Sequence, residues 1–380
     1  MENTLDGAAG SAGGTHRSFE IGDASGVAYA RRGAAEAARF AALTETDAGR
    51  LAIVLTEAAT NILKHAGHGE LLVRALEGAV ELIALDSGPG MTDVGAALAD
   101  GHSTTGTPGT GLGAIRRLSN QFAVYSQRGT GTVLRALVQK SGGHAAHAAF
   151  TGPEIGGVCV PYPGEEVCGD GWQAQADQSG LTLALADGLG HGAEAHVAAA
   201  AALDVLRRRA GLAPAALMEL SHAALRPTRG AALALVRIDL ARGALAFCGT
   251  GNISAVAYGA GRPAERRPVD SRASAGHTHR PASAGAPCAR ECYQLVSRNG
   301  IVGHTMRGTQ EFELTWGENA LLVLHSDGIG TRWDLAAWPG LANQPAVVIA
   351  AVLYRDFARR RDDATVVVVR ARPGVQLNHE

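Results

Sequence analysis

LTLALADGLGHG, residues 181–192, decides the architecture of the C-terminal half. An apolar run ends on Asp187, and a glycine-rich turn follows. That is a buried strand delivering a carboxylate to a loop that can bend closely around a ligand. The same arrangement recurs on either side. Gly169-Asp170-Gly171 precedes it, LLVLHSDG (321–328) ends on Asp327-Gly328, and Asp362-Asp363-Ala364-Thr365 opens the strand ATVVVVR (364–370). One Asp-Gly pair is an ordinary hairpin turn. Four acidic motifs at strand ends gather carboxylates at one edge of a sheet core. Hard oxygen ligands of this kind suit Mg²⁺ or Mn²⁺. Two such ions about 4 Å apart share a water, lower its pKa and aim it at phosphorus. No protein nucleophile is then required, and no Ser/His/Asp or Cys signature is present.

Outward from this stretch, the second half reads as strands at 167–176, 181–186, 231–239, 244–247, 253–258, 310–315, 320–325 and 364–371. Asp177-Gln178-Ser179-Gly180 and Ala241-Arg242-Gly243 make hairpin-like joins. Ala-rich helices are expected at 192–209 and 214–225, and another at 343–359. This is an α+β pattern of stacked antiparallel sheets flanked by helices. Residues 259–290 are rich in Pro, Ala and Arg without periodicity and read as an insertion in a domain spanning 155–373.

Upstream, residues 140–154 read as a linker and 16–139 as a separate α/β domain with helices on a mixed sheet. Residues 1–15 read as a disordered tail. Three motifs in this domain point to a nucleotide. In EAATN (57–61), Glu57 and Asn61 lie at i and i+4, on one face of a helix. A carboxylate and an amide so placed can hold a hydrated Mg²⁺ or orient a hydroxyl. DSGPG (86–90) follows an apolar strand, so Asp86 can accept the exocyclic amine of adenine while Gly88 and Gly90 let backbone approach the ligand. GTGLG (109–113) opens a helix, where Gly109, Gly111 and Gly113 bring N–H groups to phosphates.

The chain has 380 residues, enough for two domains, and 46% are apolar. The net charge of −2 argues against a general nucleic-acid or membrane-surface binder. No secretory leader or apolar run of about 18 residues is visible, which points to the cytoplasm. Five cysteines, at 159, 168, 248, 288 and 292, form no CxxC set and fit reduced thiols.

The three N-terminal motifs, in this order, resemble the GHKL (Bergerat-fold) ATPases, and DGHSTTGTPGTGLGAIRRL (100–118) resembles the RsbT branch of the RsbT/RsbW-type serine kinases. That resemblance implies ATP with Mg²⁺ as cofactor. Asn61 would coordinate the ion, Asp86 would contact adenine, and Glu57 would be the base activating a serine on a STAS-domain protein. DGLGHG, SDG and DDAT resemble the SpoIIE/RsbX branch of the PPM metal-dependent protein phosphatases, a β-sandwich flanked by helices. It implies two Mn²⁺ or Mg²⁺ ions on Asp170, Asp187, the Gly188 carbonyl, Asp327 and Asp362, with Asp363 assisting. His191 is expected to pack in the metal loop, and Gly251 and Asn252 to form a turn without a catalytic role. Together the resemblances imply a bifunctional regulator of a partner-switching pathway. The alternative is an ATP- and STAS-binding module without phosphotransfer, attached to an active phosphatase.

Overall fold

The computed structural model describes residues 11–98, 111–142, 152–261 and 292–372. The first sheet is built from β2 (Arg17–Ile21), β3 (Gly69–Leu76), β4 (Ala79–Asp86), β5 (Gln121–Gln127) and β6 (Gly131–Gln139), in the order β2-β3-β4-β6-β5. The expected mixed sheet is antiparallel in every pairing. The reason is local: Glu77-Gly78 and residues 128–130 close two tight hairpins, and β6 then lies between β4 and β5.

One face of this sheet is covered by α1 (Ala24–Phe40) and α2 (Glu45–Asn61). Both start on side-chain caps. The Asp23 carboxylate accepts from the Ser25 and Gly26 amides, and the Thr44 hydroxyl accepts from Asp47 N. After Asn61 the helix widens into a π turn, Ile62–Ala66, and stops at Gly67 with φ +76°. A short α3 (Val94–Leu98) and α4 (Gly111–Leu118) complete the layer.

The second half contains two stacked sheets. In one, the order is β1 (Ser11–Gly13), β8 (Asp170–Asp177), β9 (Gly180–Gly188), β10 (Ala231–Asp239), β11 (Ala244–Thr250), β14 (Glu311–Thr315). In the other it is β13 (Cys292–Leu295), β12 (Ser254–Tyr258), β15 (Leu321–His325), β16 (Ala364–Arg370), β7 (Glu154–Val160). Leu183, Leu185, Phe247, Leu322, Leu324 and Val367 interdigitate between them. The outer face of the β8-β9-β10-β11 sheet carries α5 (Ala193–Arg209) and α6 (Pro214–Leu225).

Two sequence boundaries shift. Ser11–Gly13, within the stretch read as a tail, is an edge strand on β8. Glycine is required there, since a Cβ on Gly13 would lie 2.7 Å from the Trp172 carbonyl oxygen. His16 then exchanges bonds with the Cys159 backbone (2.7 and 3.4 Å). Ser141, within the stretch read as a linker, donates its amide and hydroxyl to the buried carboxylate of Asp47 (2.8 and 2.7 Å) and so belongs to the first domain. The remainder of that linker, 143–151, and most of the insertion, 262–291, lie outside the described residues.

The last helix, α7 (Ala346–Phe357), joins the two halves. Its first nine residues, AVVIAAVLY, are all buried. One side packs on β7 and β16 through Val158, Val366 and Val368. The other packs on the second face of the N-terminal sheet through Leu72, Ile83, Leu85 and Val133. A helix apolar all round needs cover all round, and here it sits between two sheets. Beside it, Glu81 accepts from Arg74 (2.6 Å) and Arg135 (3.0 Å), with His16 at 3.4 Å; burial alone would raise the Glu81 carboxyl, but these neighbours hold it well below its usual range. The Arg74 guanidinium lies over the Trp172 ring, 5.8 Å from its centroid.

Candidate functional site

Two sites emerge, one in each half. In the first, α2 projects Glu57 and Asn61 toward the start of α4. A Cβ on Gly111 would sit 3.2 Å from both Glu57 Oε2 and Asn61 Oδ1, so the helix motif and the start of α4 lie against each other. Asp86 ends β4. Its Oδ1 accepts from Gly88 N at 2.9 Å and Thr132 N at 3.2 Å, and burial nonetheless raises its pKa. Gly88 backs onto Ala66, which a Cβ would meet at 2.7 Å. Gly90 has φ +66°, and a Cβ there would meet the Gln127 carbonyl oxygen at 2.1 Å. Gly113 is buried in α4. Gly109 lies outside the described residues. Asp86 and Ser87 open onto a cleft of about 1080 Å³ between the two halves; Tyr162, Glu165, Arg360 and Asp362 line its other side.

The second site is the carboxylate cluster. Asp170, first in β8, and Asp187, near the end of β9, are direct cross-strand partners. Gly188 follows, its amide bonded to the Gly169 carbonyl at 3.1 Å; a Cβ on it would lie 2.1 Å from Ala195 O, so glycine lets α5 start close to the cluster. Asp327 stands just past β15, and Asp362 and Asp363 just before β16. A Cβ on Gly328 would lie 1.9 Å from the Asp363 carbonyl oxygen, so the two loops pass in near contact. Burial pushes Asp187 up to about 9, helped by Asp170, Asp327, Asp362 and Asp363. Burial likewise pushes Asp170 up to about 7, against the Ser326 and Thr365 hydroxyls and with the charges of Asp363 and Asp362. Asp327 is raised by burial and by Asp362, and Asp363 chiefly by burial.

These groups repel one another through a poorly solvated space. Among the described residues no three His, Cys, Asp or Glu side chains converge tightly enough to form a finished ligand set. The electrostatics carry more weight than that spacing, because uncompensated carboxylates move apart. Asp363 supplies the chemical test. Its Oδ1 accepts from Tyr162 N at 2.9 Å, while its buried Oδ2 has no partner at hydrogen-bond geometry, although the Gly169 amide and Cys168 thiol lie near enough to lower its pKa. A buried orphan oxygen among raised carboxylates fits hard divalent cations.

Two residues contribute here that the sequence reading did not assign. Ser326 Oγ donates to Asp170 Oδ2 (2.6 Å) and accepts from Thr365 N (3.0 Å). Asn252 Nδ2 donates to Asp327 Oδ2 at 2.6 Å. Ser326 lies inside the SDG motif and was legible by position. Asn252 is 75 residues from its partner, and only the β12–β15 pairing brings them together. His191 packs as expected, stacked on Tyr162 and bonded to Glu165 at 2.9 Å. Cys159 and Cys168 are buried thiols 3.6 Å apart, a proximity their sequence spacing does not announce.

Residues 23–138 match the family described as Histidine kinase-like ATPase domain. The serine/threonine-protein kinase RsbT of Bacillus subtilis (strain 168) is 34% identical over 95 residues, which are 24% of this chain and 71% of RsbT. The phosphoserine phosphatase RsbX of the same organism is 31% identical over 90 residues, 24% of this chain; the match spans 45% of RsbX, less than half its length. A crystal structure of RsbX in complex with magnesium is 20% identical and has a TM-score of 0.44, covering 58% of this chain and 95% of that one. At that score it is the strand order, not the superposition, that defines the sandwich. No described helix is long and apolar enough to cross a membrane. The chain belongs to the histidine kinase-like ATPase family, in its RsbT-type branch, and carries beyond that domain a segment similar to part of the phosphoserine phosphatase RsbX.

Proposed function

We propose that this chain is a bifunctional, cytoplasmic regulator of serine phosphorylation on STAS-domain partner proteins, of the stressosome or anti-anti-sigma kind. Its C-terminal domain is a metal-dependent serine/threonine phosphatase and its N-terminal domain an ATP-dependent serine kinase. The observation that carries the phosphatase reading is the carboxylate cluster, with Asp187 and Asp170 raised and the Asp363 carboxylate buried beside them. In this reading Asp170, Asp187, the Gly188 carbonyl, Asp327 and Asp362 hold two Mn²⁺ or Mg²⁺ ions. When bound, such ions supply an activated water and neutralise charge on the phosphoryl group. The chain's own part is placement. Ser326 fixes Asp170, Asn252 fixes Asp327, and Asp363 accepts from the Tyr162 amide and so ties that loop to the cluster.

At the N-terminal site, Asp86 takes the adenine amine, Asn61 the Mg²⁺, and the start of α4 the phosphates, with Glu57 taking the proton from the acceptor serine. The likeness to RsbT, a serine/threonine kinase, and to RsbX, a phosphoserine phosphatase, supports pairing these chemistries.

The test is phosphate release from a phosphoserine peptide with Mn²⁺. It should be lost with EDTA and in Asp187→Ala. Full metal-dependent activity in Asp187→Ala would sink the site assignment. Transfer of label from γ-labelled ATP to a STAS protein, lost in Glu57→Gln, tests the kinase. Nucleotide binding without transfer would leave the N-terminal domain as a docking module.

A further inference from the structure

The end of α7 grips the nucleotide pocket with one residue and the carboxylate loop with the next few. Arg355, whose side chain is 5% exposed, pairs at two points with Asp356 (2.7 and 3.0 Å) and donates Nη1 to the Asp86 carbonyl at 3.3 Å. Arg360 donates to Glu70 Oε2 at 2.6 Å and to the Tyr354 hydroxyl at 3.0 Å, and that hydroxyl donates to Glu70 Oε1 at 2.9 Å. Glu70 lies at the end of β3, where the register sets Gly69 opposite Asp86. Both grips therefore fall on the strand ends that present the expected adenine contact.

The other side of the same segment is fixed to the carboxylate loops. Gly330 N donates to Phe357 O, and Arg359 N to Gly328 O, both at 2.8 Å; Asp362 and Asp363 follow shortly after, beyond Arg360 and Arg361. Arg360 itself has φ +57°, a left-handed backbone that a residue with a side chain adopts only where its surroundings hold it. Its side chain is held by Glu70, from the other domain, together with Tyr354. Asp86 and Asp362 also open onto one cleft.

We propose that an adenine nucleotide in the Asp86 pocket is an allosteric effector of the phosphatase, acting through the Glu70–Arg360 strut and needing no phosphotransfer. This rests on the reading above that one site binds nucleotide and the other metal. A nucleotide that stiffens the ends of β3 and β4 favours the Arg360 conformation from which Asp362 and Asp363 extend. Both ligands then select the same state, and linkage requires each to tighten the other by the same factor.

The test uses the full chain and a fluorescent ADP, which has no γ-phosphate to transfer. Its affinity is measured at one saturating Mn²⁺ concentration in the parent and in Asp327→Asn, so the nucleotide's own metal is constant. The parent should bind it about five-fold or more tightly than Asp327→Asn. That gap should vanish in Arg360→Gly, where glycine accepts the left-handed backbone and the side chain with its guanidinium is lost, and in the isosteric Glu70→Gln, which keeps the side-chain packing. Equal affinity in the parent and Asp327→Asn overturns the inference and leaves the nucleotide reading standing. A gap that survives both strut variants overturns the route. No ADP binding at all overturns both readings.

Discussion

At the residue scale, the carboxylate cluster predicts how stability depends on pH. Asp170 and Asp187 titrate far above an unfolded aspartate, near about 7 and about 9. Between the unfolded value and those values the folded chain binds more protons than the unfolded one, so stability falls as pH rises. With EDTA, the melting temperature should drop steadily from about pH 5 to pH 9. Saturating Mn²⁺ should flatten that slope, and Asp187→Asn should reduce it without metal. A metal-free melting temperature that rises over this range would contradict the cluster. Asn252 gives a finer prediction. Its bond to Asp327 is solvent-exposed, so its net value is about 1 kcal/mol, and Asn252→Ala should weaken Mn²⁺ binding by roughly five-fold, read by calorimetric titration. Asp187, Asp327 and the Asp362-Asp363 pair were legible because each borders an apolar run, and Asp170 because it stands in a Gly-Asp-Gly turn. Asn252 was not, because its role depends on a contact between strands far apart in sequence.

At the element scale, α7 is the most consequential helix. The sequence predicts a helix over 343–359, and AVVIAAVLY within it is apolar on every side. It did not announce what would cover the second side. The sign of that cover lies elsewhere, in ELIALD on β4, where Leu82 and Ala84 face α1 and α2 while Ile83 and Leu85 face α7. A strand apolar on both faces is one that both faces bury. Ile349→Ala should cost about 2–5 kcal/mol, measured by urea unfolding. The glycine box after β4 makes a second, local case. Gly90→Ala forces a Cβ against the Gln127 carbonyl oxygen in a left-handed backbone. It should lower nucleotide affinity while leaving Mn²⁺-dependent phosphate release largely intact, a split that the two assays read directly.

At the scale of the whole molecule, the apolar cluster around α7 draws residues from both domains, and Glu81, Arg74, His16 and Trp172 add a buried polar seam. Differential scanning calorimetry should therefore show one cooperative transition, and saturating Mn²⁺ should shift all of it by about 2.7 kcal/mol at a hundred times Kd. Two transitions, only one of them moved by the metal, would show that the domains melt independently. The sequence reads as two domains because their motifs are separate. Their union was hidden because it rests on a strand at residues 11–13 and a helix at 346–357, at opposite ends of the described chain. That placement has a consequence during synthesis. The N-terminal sheet is complete once residue 139 is made, but the helix that covers its second face ends at residue 357. At about 5–20 residues per second, the nascent chain carries that open apolar face for roughly 10–45 s. The ribosome-bound intermediate, rather than the finished protein, is thus the form with a large surface for a chaperone to shield.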